Sequence, residues 1–64
     1  MFIEVTERET NSPTSMNIEH IITFAPRCGG GTNVELVGGD DWFVVVEDYE
    51  TVKAMIQKAA MPFV

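Results

Sequence analysis

Apolar and polar residues alternate along most of the chain, which is the pattern of short, half-buried β-strands. In the segment FIEVT, Ile3 and Val5 fall on one face and the residues between and around them fall on the other. Period-two segments and apolar runs rich in strand-forming residues together predict five strands, at residues 2–6, 14–18, 21–25, 32–37 and 42–46.

Turn-forming residues separate the predicted strands. The polar segment ERETNSP contains an Asn-Ser-Pro turn signal and predicts the first loop. Pro26 removes a ladder donor, so the third strand should end there or lie at a sheet edge. The segment GGDD predicts a tight turn before the fifth strand. That strand, WFVVV, does not alternate, which favours a central strand or an interface with both faces covered.

The period changes to that of a helix near the end of the chain. Val52, Met55, Ile56 and Ala59 fall at i, i+3, i+4 and i+7, which places them on one helical stripe. The pattern predicts a helix over 49–60, with Asp48 as its N-cap and a stop at Pro62.

These elements predict an α+β fold, with a five-stranded antiparallel β-meander curled into a bent sheet or partial barrel and covered by one C-terminal helix. The 64 residues form a single domain, 1–64, whose core is small for its surface. Cys28 is the only cysteine, so an intramolecular disulfide is excluded and self-association is the expected source of added stability.

More aromatic side chains are present than such a small core requires, and surplus apolar surface usually marks an interface. Trp42 and Phe43 fall on opposite faces of one strand, so one should enter the core and the other should anchor a partner. We therefore expect a homo-oligomer whose interface draws on five aromatic residues: Phe2, Phe24, Trp42, Phe43 and Phe63.

The segments MNIEHI and TNVELVGGDDWFVVVEDYETVKAMI, in this order, resemble the small FlbD-like proteins of bacteria and their phages. The likeness covers roughly residues 1–56 and consists of a strand, an N-[ILV]-x-x-I segment, a strand-Gly-strand hairpin and an acid-capped helix. It implies a small non-enzymatic accessory protein. The long PRCGGG loop and the acidic balance depart from that family.

Ten acidic residues face four basic ones and give a net charge of −6. This field opposes direct binding to nucleic acid or to an anionic membrane. The simplest role of the charge is solubility, and a second is mimicry of nucleic acid toward a DNA-binding partner. The start MFIEVTERET lacks the features of a signal peptide, and a lone cysteine fits a reducing compartment, so we expect a cytoplasmic protein, in the host cytoplasm if phage-encoded.

The segment RCGGGT is the one place where an anion site could form. No lysine follows the glycines and the next element is a strand, so it is not a P-loop. It is either a flexible connector or a nest of backbone amides with a neighbouring guanidinium. The candidate ligand-binding residues are Arg27, Gly29, Gly30, Gly31 and Thr32.

No catalytic, metal or cofactor site is expected. His20 and Cys28 lack the partners that nucleophilic catalysis needs, and one histidine with one cysteine falls short of a zinc site. The pairs Asp40–Asp41 and Glu47–Asp48 are explained by turn formation and helix capping.

The sequence therefore favours a small, non-enzymatic, oligomeric interaction protein, encoded by a phage or mobile element, that binds and modulates or inhibits a host or phage component. The alternative is an oligomeric ligand-binding module that sequesters a small anionic molecule such as a nucleotide signal. An acidic mimic of nucleic acid is a third hypothesis.

Overall fold

A computed structural model describes residues 1–39 and 41–60. Five antiparallel strands form one open sheet in the order β2-β1-β5-β4-β3, followed by one helix. The predicted α+β fold is confirmed. The strands are β1 (Phe2–Glu7), β2 (Ser12–Asn17), β3 (Ile21–Pro26), β4 (Thr32–Leu36) and β5 (Phe43–Val45), and the helix is α1 (Tyr49–Ala59).

The sheet is open, and the first and fifth strands of the sequence lie side by side inside it. Consecutive strands are neighbours except β2 and β3, which form the two edges, while β1 pairs with β5. Strand β5 is therefore the central strand, as its unbroken apolar run predicts.

The core lies between one face of the sheet and α1. The predicted shared face of Ile3 and Val5 on β1 is confirmed, since both are buried. On β4, Val34 is buried while Glu35 is exposed. The buried apolar side chains of the described residues are Ile3, Val5, Met16, Val34, Val45 and Val52. Most of them are aliphatic and of medium size, as expected where two layers of side chains must interdigitate closely.

The helix begins where its capping residue predicts. The Asp48 side chain accepts a hydrogen bond from the Thr51 amide at 3.0 Å, which satisfies a donor at the helix N-terminus. Val52 is fully buried, and the other three residues of the predicted stripe pack against the core. The final turn closes through a bond from the Ala60 amide to the Ile56 carbonyl. Pro62 lies outside the described residues.

The boundaries of β2 differ from those predicted. The strand runs over Ser12–Asn17 instead of 14–18, because the turn is confined to residues 8–11, where Asn11 has a φ of 57°. Pro13 is accommodated within β2 because this is an edge strand. Ile18 starts a 3₁₀ turn, Ile18–His20, which Asn17 caps by accepting from the Glu19 amide.

Smaller differences affect the other strands. Strand β5 is shorter than the predicted 42–46, since Trp42 and Val46 flank it and are exposed. Strand β3 continues one residue further, to Pro26, and β4 ends at Leu36 instead of Val37.

Candidate functional site

The pairing between β1 and β5 is short, and it joins the two halves of the sheet. The ladder contains one residue pair, Glu7 with Val45. Two further backbone bonds extend it, from the Arg8 amide to the Val44 carbonyl at 3.1 Å and from the Val46 amide to the Thr6 carbonyl at 2.9 Å. We call this junction the seam.

A carboxylate from the β5–α1 connection reinforces the seam. The Thr6 amide donates to Glu47 Oε1 at 2.8 Å, and the Thr6 hydroxyl donates to Oε2 at 2.9 Å. The buried Thr32 hydroxyl donates to the Glu47 backbone carbonyl at 2.7 Å. Glu47 thus ties β1, β4 and the start of α1 together, a role that sequence reasoning missed because Thr6 lies 41 residues away.

The glycine loop between β3 and β4 is a closed turn. The Arg27 amide donates to the Gly31 carbonyl at 3.1 Å, and the Gly30 amide donates to the Arg27 carbonyl at 3.0 Å. Gly31 has a φ of +88°, and a Cβ there would lie 2.6 Å from the Val45 carbonyl oxygen. The loop therefore connects two strands and passes so close to β5 that only glycine fits at position 31.

The candidate ligand residues of this loop do not converge on one point. Thr32 is fully buried and its hydroxyl is bonded to Glu47, so it is not available to a ligand at the surface. The three glycines border a small groove of about 240 Å³ that also contains Arg8. Arg27 lies in the adjoining groove, and Arg8 borders both.

This adjoining groove, which we call the Trp42 groove, has a volume of about 480 Å³. It runs between the β1–β2 turn, the start of the glycine loop and the segment leading into β5. Its lining residues are Glu7, Arg8, Glu9, Arg27, Asp41, Trp42, Phe43 and Val44. Sequence reasoning selected Arg27 and Trp42 but not Arg8, whose position depends on the β1–β5 pairing.

The aromatic residues predicted for an interface divide into two groups. Phe2 and Trp42 are exposed, with 67% and 49% of their surface accessible. Phe24 and Phe43 are half-buried and pack against the core, Phe24 with its ring centroid 5.3 Å from that of Tyr49. As expected, one residue of the Trp42–Phe43 pair packs against the core, and that residue is Phe43. The anchoring of a partner by Trp42 stays a prediction, and Phe63 lies outside the described residues.

Phe2 borders a separate groove of about 260 Å³, which we call the Phe2 groove. The C-terminal half of α1 supplies Met55, Lys58 and Ala59 to its opposite wall. Ile3 and Glu4 complete the lining from β1. The walls combine apolar side chains with one charge of each sign, as in many protein interfaces.

The residues considered for catalysis or metal binding are dispersed. His20 and Cys28 are both exposed, His20 in the 3₁₀ turn and Cys28 in the glycine loop. No group of three or more His, Cys, Asp or Glu side chains suited to a metal ion is found within residues 1–39 and 41–60. In the same part of the chain, no helix is long and apolar enough to span a membrane.

Two carboxylates are held in their ionised form by local hydrogen bonds. The Thr10 hydroxyl and amide, with the Glu9 amide, lower the pKa of Glu7 from its usual value. The Thr51 side chain and amide lower the pKa of Asp48 in the same way. Both groups stabilise turns, at the start of β2 and of α1 respectively.

Comparisons of the chain with protein-family models, with curated proteins and with solved structures each found no match.

Proposed function

We propose that this chain is a non-enzymatic interaction protein that self-associates and binds a second protein. The observation that carries the proposal is the exposure of six large apolar side chains within residues 1–39 and 41–60: Met1, Phe2, Ile22, Val37, Trp42 and Val46. Apolar surface of this extent on a small domain usually marks a place of contact with another molecule.

Among these surfaces, the Phe2 groove places an exposed aromatic ring beside apolar side chains of α1. Phe2 keeps 67% of its surface accessible, whereas its neighbour Ile3 is buried in the core. Met55 and Ala59 face it from α1 and remain partly accessible. A second copy of the chain that covers this groove would bury the aromatic ring and both helix side chains, which is favourable by about 25 cal/mol per Å² of apolar surface.

The second protein would be a host or phage component, and the encounter would take place in the cytoplasm. The net charge of −6 favours a partner with a positive surface, because opposite fields accelerate association. Rising ionic strength should therefore slow binding to that partner.

Sedimentation velocity over a range of protein concentrations tests self-association. We expect the wild-type chain to form a species larger than the monomer, and Phe2→Ser to shift it toward the monomer. Val37→Ser is the matched control, since Val37 is about equally exposed but lies in the turn after β4, outside the Phe2 groove. A wild-type chain that is monomeric at every concentration would contradict the proposal.

A further inference from the structure

The Trp42 groove brings two positively charged side chains together in a protein that has few basic residues. The chain has four basic residues, and Arg8 and Arg27 both line this groove. They arrive from different parts of the fold, Arg8 from the end of β1 and Arg27 from the start of the glycine loop. Two guanidinium groups that border one groove can hold the oxygens of a phosphate or carboxylate from two sides.

An exposed aromatic ring lies in the same groove. Trp42 precedes β5 and keeps 49% of its surface accessible, while the next residue, Phe43, packs against the core and fixes the backbone beneath it. An accessible indole beside two arginines offers a face on which a planar ring can stack. The groove therefore combines contacts for an anion with contacts for an aromatic ring.

The carboxylates of the groove limit the charge of a ligand. Glu7, Glu9 and Asp41 line it together with the two arginines. The Glu7 carboxylate is occupied by the Thr10 amide and hydroxyl, which keeps it within its own turn. Three acids against two bases repel a polyphosphate or a nucleic-acid strand more strongly than a ligand with one phosphate.

We propose that the Trp42 groove binds a nucleoside monophosphate, with the base stacked on Trp42 and the phosphate held by Arg8 and Arg27. The volume of about 480 Å³ lies in the range of small-ligand sites, about 300–1,000 Å³. The proposal places the whole site within one protomer, so we expect binding to be independent of the self-association proposed above.

Fluorescence of Trp42 provides a direct test, because it is the only tryptophan in the chain. Titration with adenosine and guanosine monophosphates should quench the emission and saturate. Guanosine alone and inorganic phosphate alone should each bind at least about tenfold more weakly, since each lacks one of the two contacts. The corresponding triphosphates should bind more weakly than the monophosphates.

Variants of the two arginines identify the site. Arg8→Gln and Arg27→Gln should each weaken monophosphate binding by about tenfold or more in calorimetry. Lys58→Gln is the matched control, because it removes the same charge outside the Trp42 groove. Circular dichroism confirms that each variant is folded. Phe2→Ser should leave nucleotide binding unchanged even if it abolishes self-association.

Nuclear magnetic resonance of the wild-type chain avoids any dependence on variants. Monophosphate should shift the amide signals of Arg8, Arg27 and Val44 in a saturable way. The proposal is overturned if no monophosphate binds at millimolar concentration, if phosphate alone binds equally well, or if the shifted amides lie elsewhere. It is also overturned if both arginine variants fold and bind as the wild type does.

Discussion

At the scale of single residues, Glu47 makes hydrogen bonds that its position in the sequence does not suggest. It stands between an apolar strand and a helix cap, where an acidic residue is commonplace. Its carboxylate nevertheless bonds both donors of Thr6, and its carbonyl accepts from the buried Thr32. The side chain therefore stabilises the seam from a connection that is not part of the sheet.

Removal of this carboxylate should weaken the fold. We expect Glu47→Ala to lower the free energy of unfolding by about 2 kcal/mol, because the Thr6 amide and hydroxyl lose a charged acceptor. Urea denaturation followed by circular dichroism measures the change. Glu35→Ala, at an exposed position of β4, is the control and should cost no more than about 0.5 kcal/mol. Equal effects of the two substitutions would contradict the role assigned to Glu47.

The pH dependence of stability should report the turn at Glu7. Its hydrogen bonds lower its pKa in the folded protein below the ordinary value of 4.5 that applies when the chain is unfolded. The unfolded state therefore takes up the proton first as the pH falls. The stabilisation is complete above about pH 4.5 and is lost as the pH falls through the folded-state pKa. Asp48 contributes in the same direction.

Urea denaturation at a series of pH values from neutral to acidic tests this expectation. Glu7→Gln should reduce the loss of stability on acidification, since the substituted side chain does not titrate. Thr10→Val should raise the pKa of Glu7 by removing the hydroxyl that lowers it most. Glu4→Gln, on an exposed position of the same strand, is the control. An unchanged pH profile in Glu7→Gln would show that the turn contributes nothing.

At the scale of elements, the glycine loop shows that identical residues in one loop can be required for different structural reasons. Its three consecutive glycines all have positive φ, yet they meet different surroundings. Gly29 and Gly30 face open space, whereas Gly31 lies against the backbone of β5. The sequence indicates a flexible loop, but one glycine is required by close packing and the others only by conformation.

Two alanine substitutions separate these requirements. Gly30→Ala should lower the free energy of unfolding by about 1 kcal/mol, because a side chain is strained at a φ of +108°. Gly31→Ala should lower it by about 3 kcal/mol, since it adds a clash with the Val45 carbonyl to a similar strain. Thermal and urea denaturation measure both. Equal losses would mean that the loop moves away from β5 without cost.

At the scale of the whole molecule, the local elements could be predicted and the long-range contacts could not. The α1 stripe and the shared face of Ile3 and Val5 on β1 follow from periodicity, and the unbroken apolar run of β5 indicates a central strand or an interface. The pairing of β1 with β5 joins two strands far apart in the sequence, which no local pattern encodes. For that reason the sequence indicates candidate roles for Arg27 and Trp42 but not for Glu47 or for Arg8, which lies in the same groove as Arg27 and Trp42.

The order of the strands also has a consequence for how the chain folds. The β1–β2 and β3–β4 hairpins are each contiguous in sequence, so each can form by local contacts. Of the described strands, only β5, the last of them in the sequence, hydrogen-bonds to both hairpins. During synthesis the facing edges of the two hairpins, β1 and β4, therefore stay unpaired until β5 inserts between them. We expect this insertion, and not the formation of either hairpin, to limit the rate of folding.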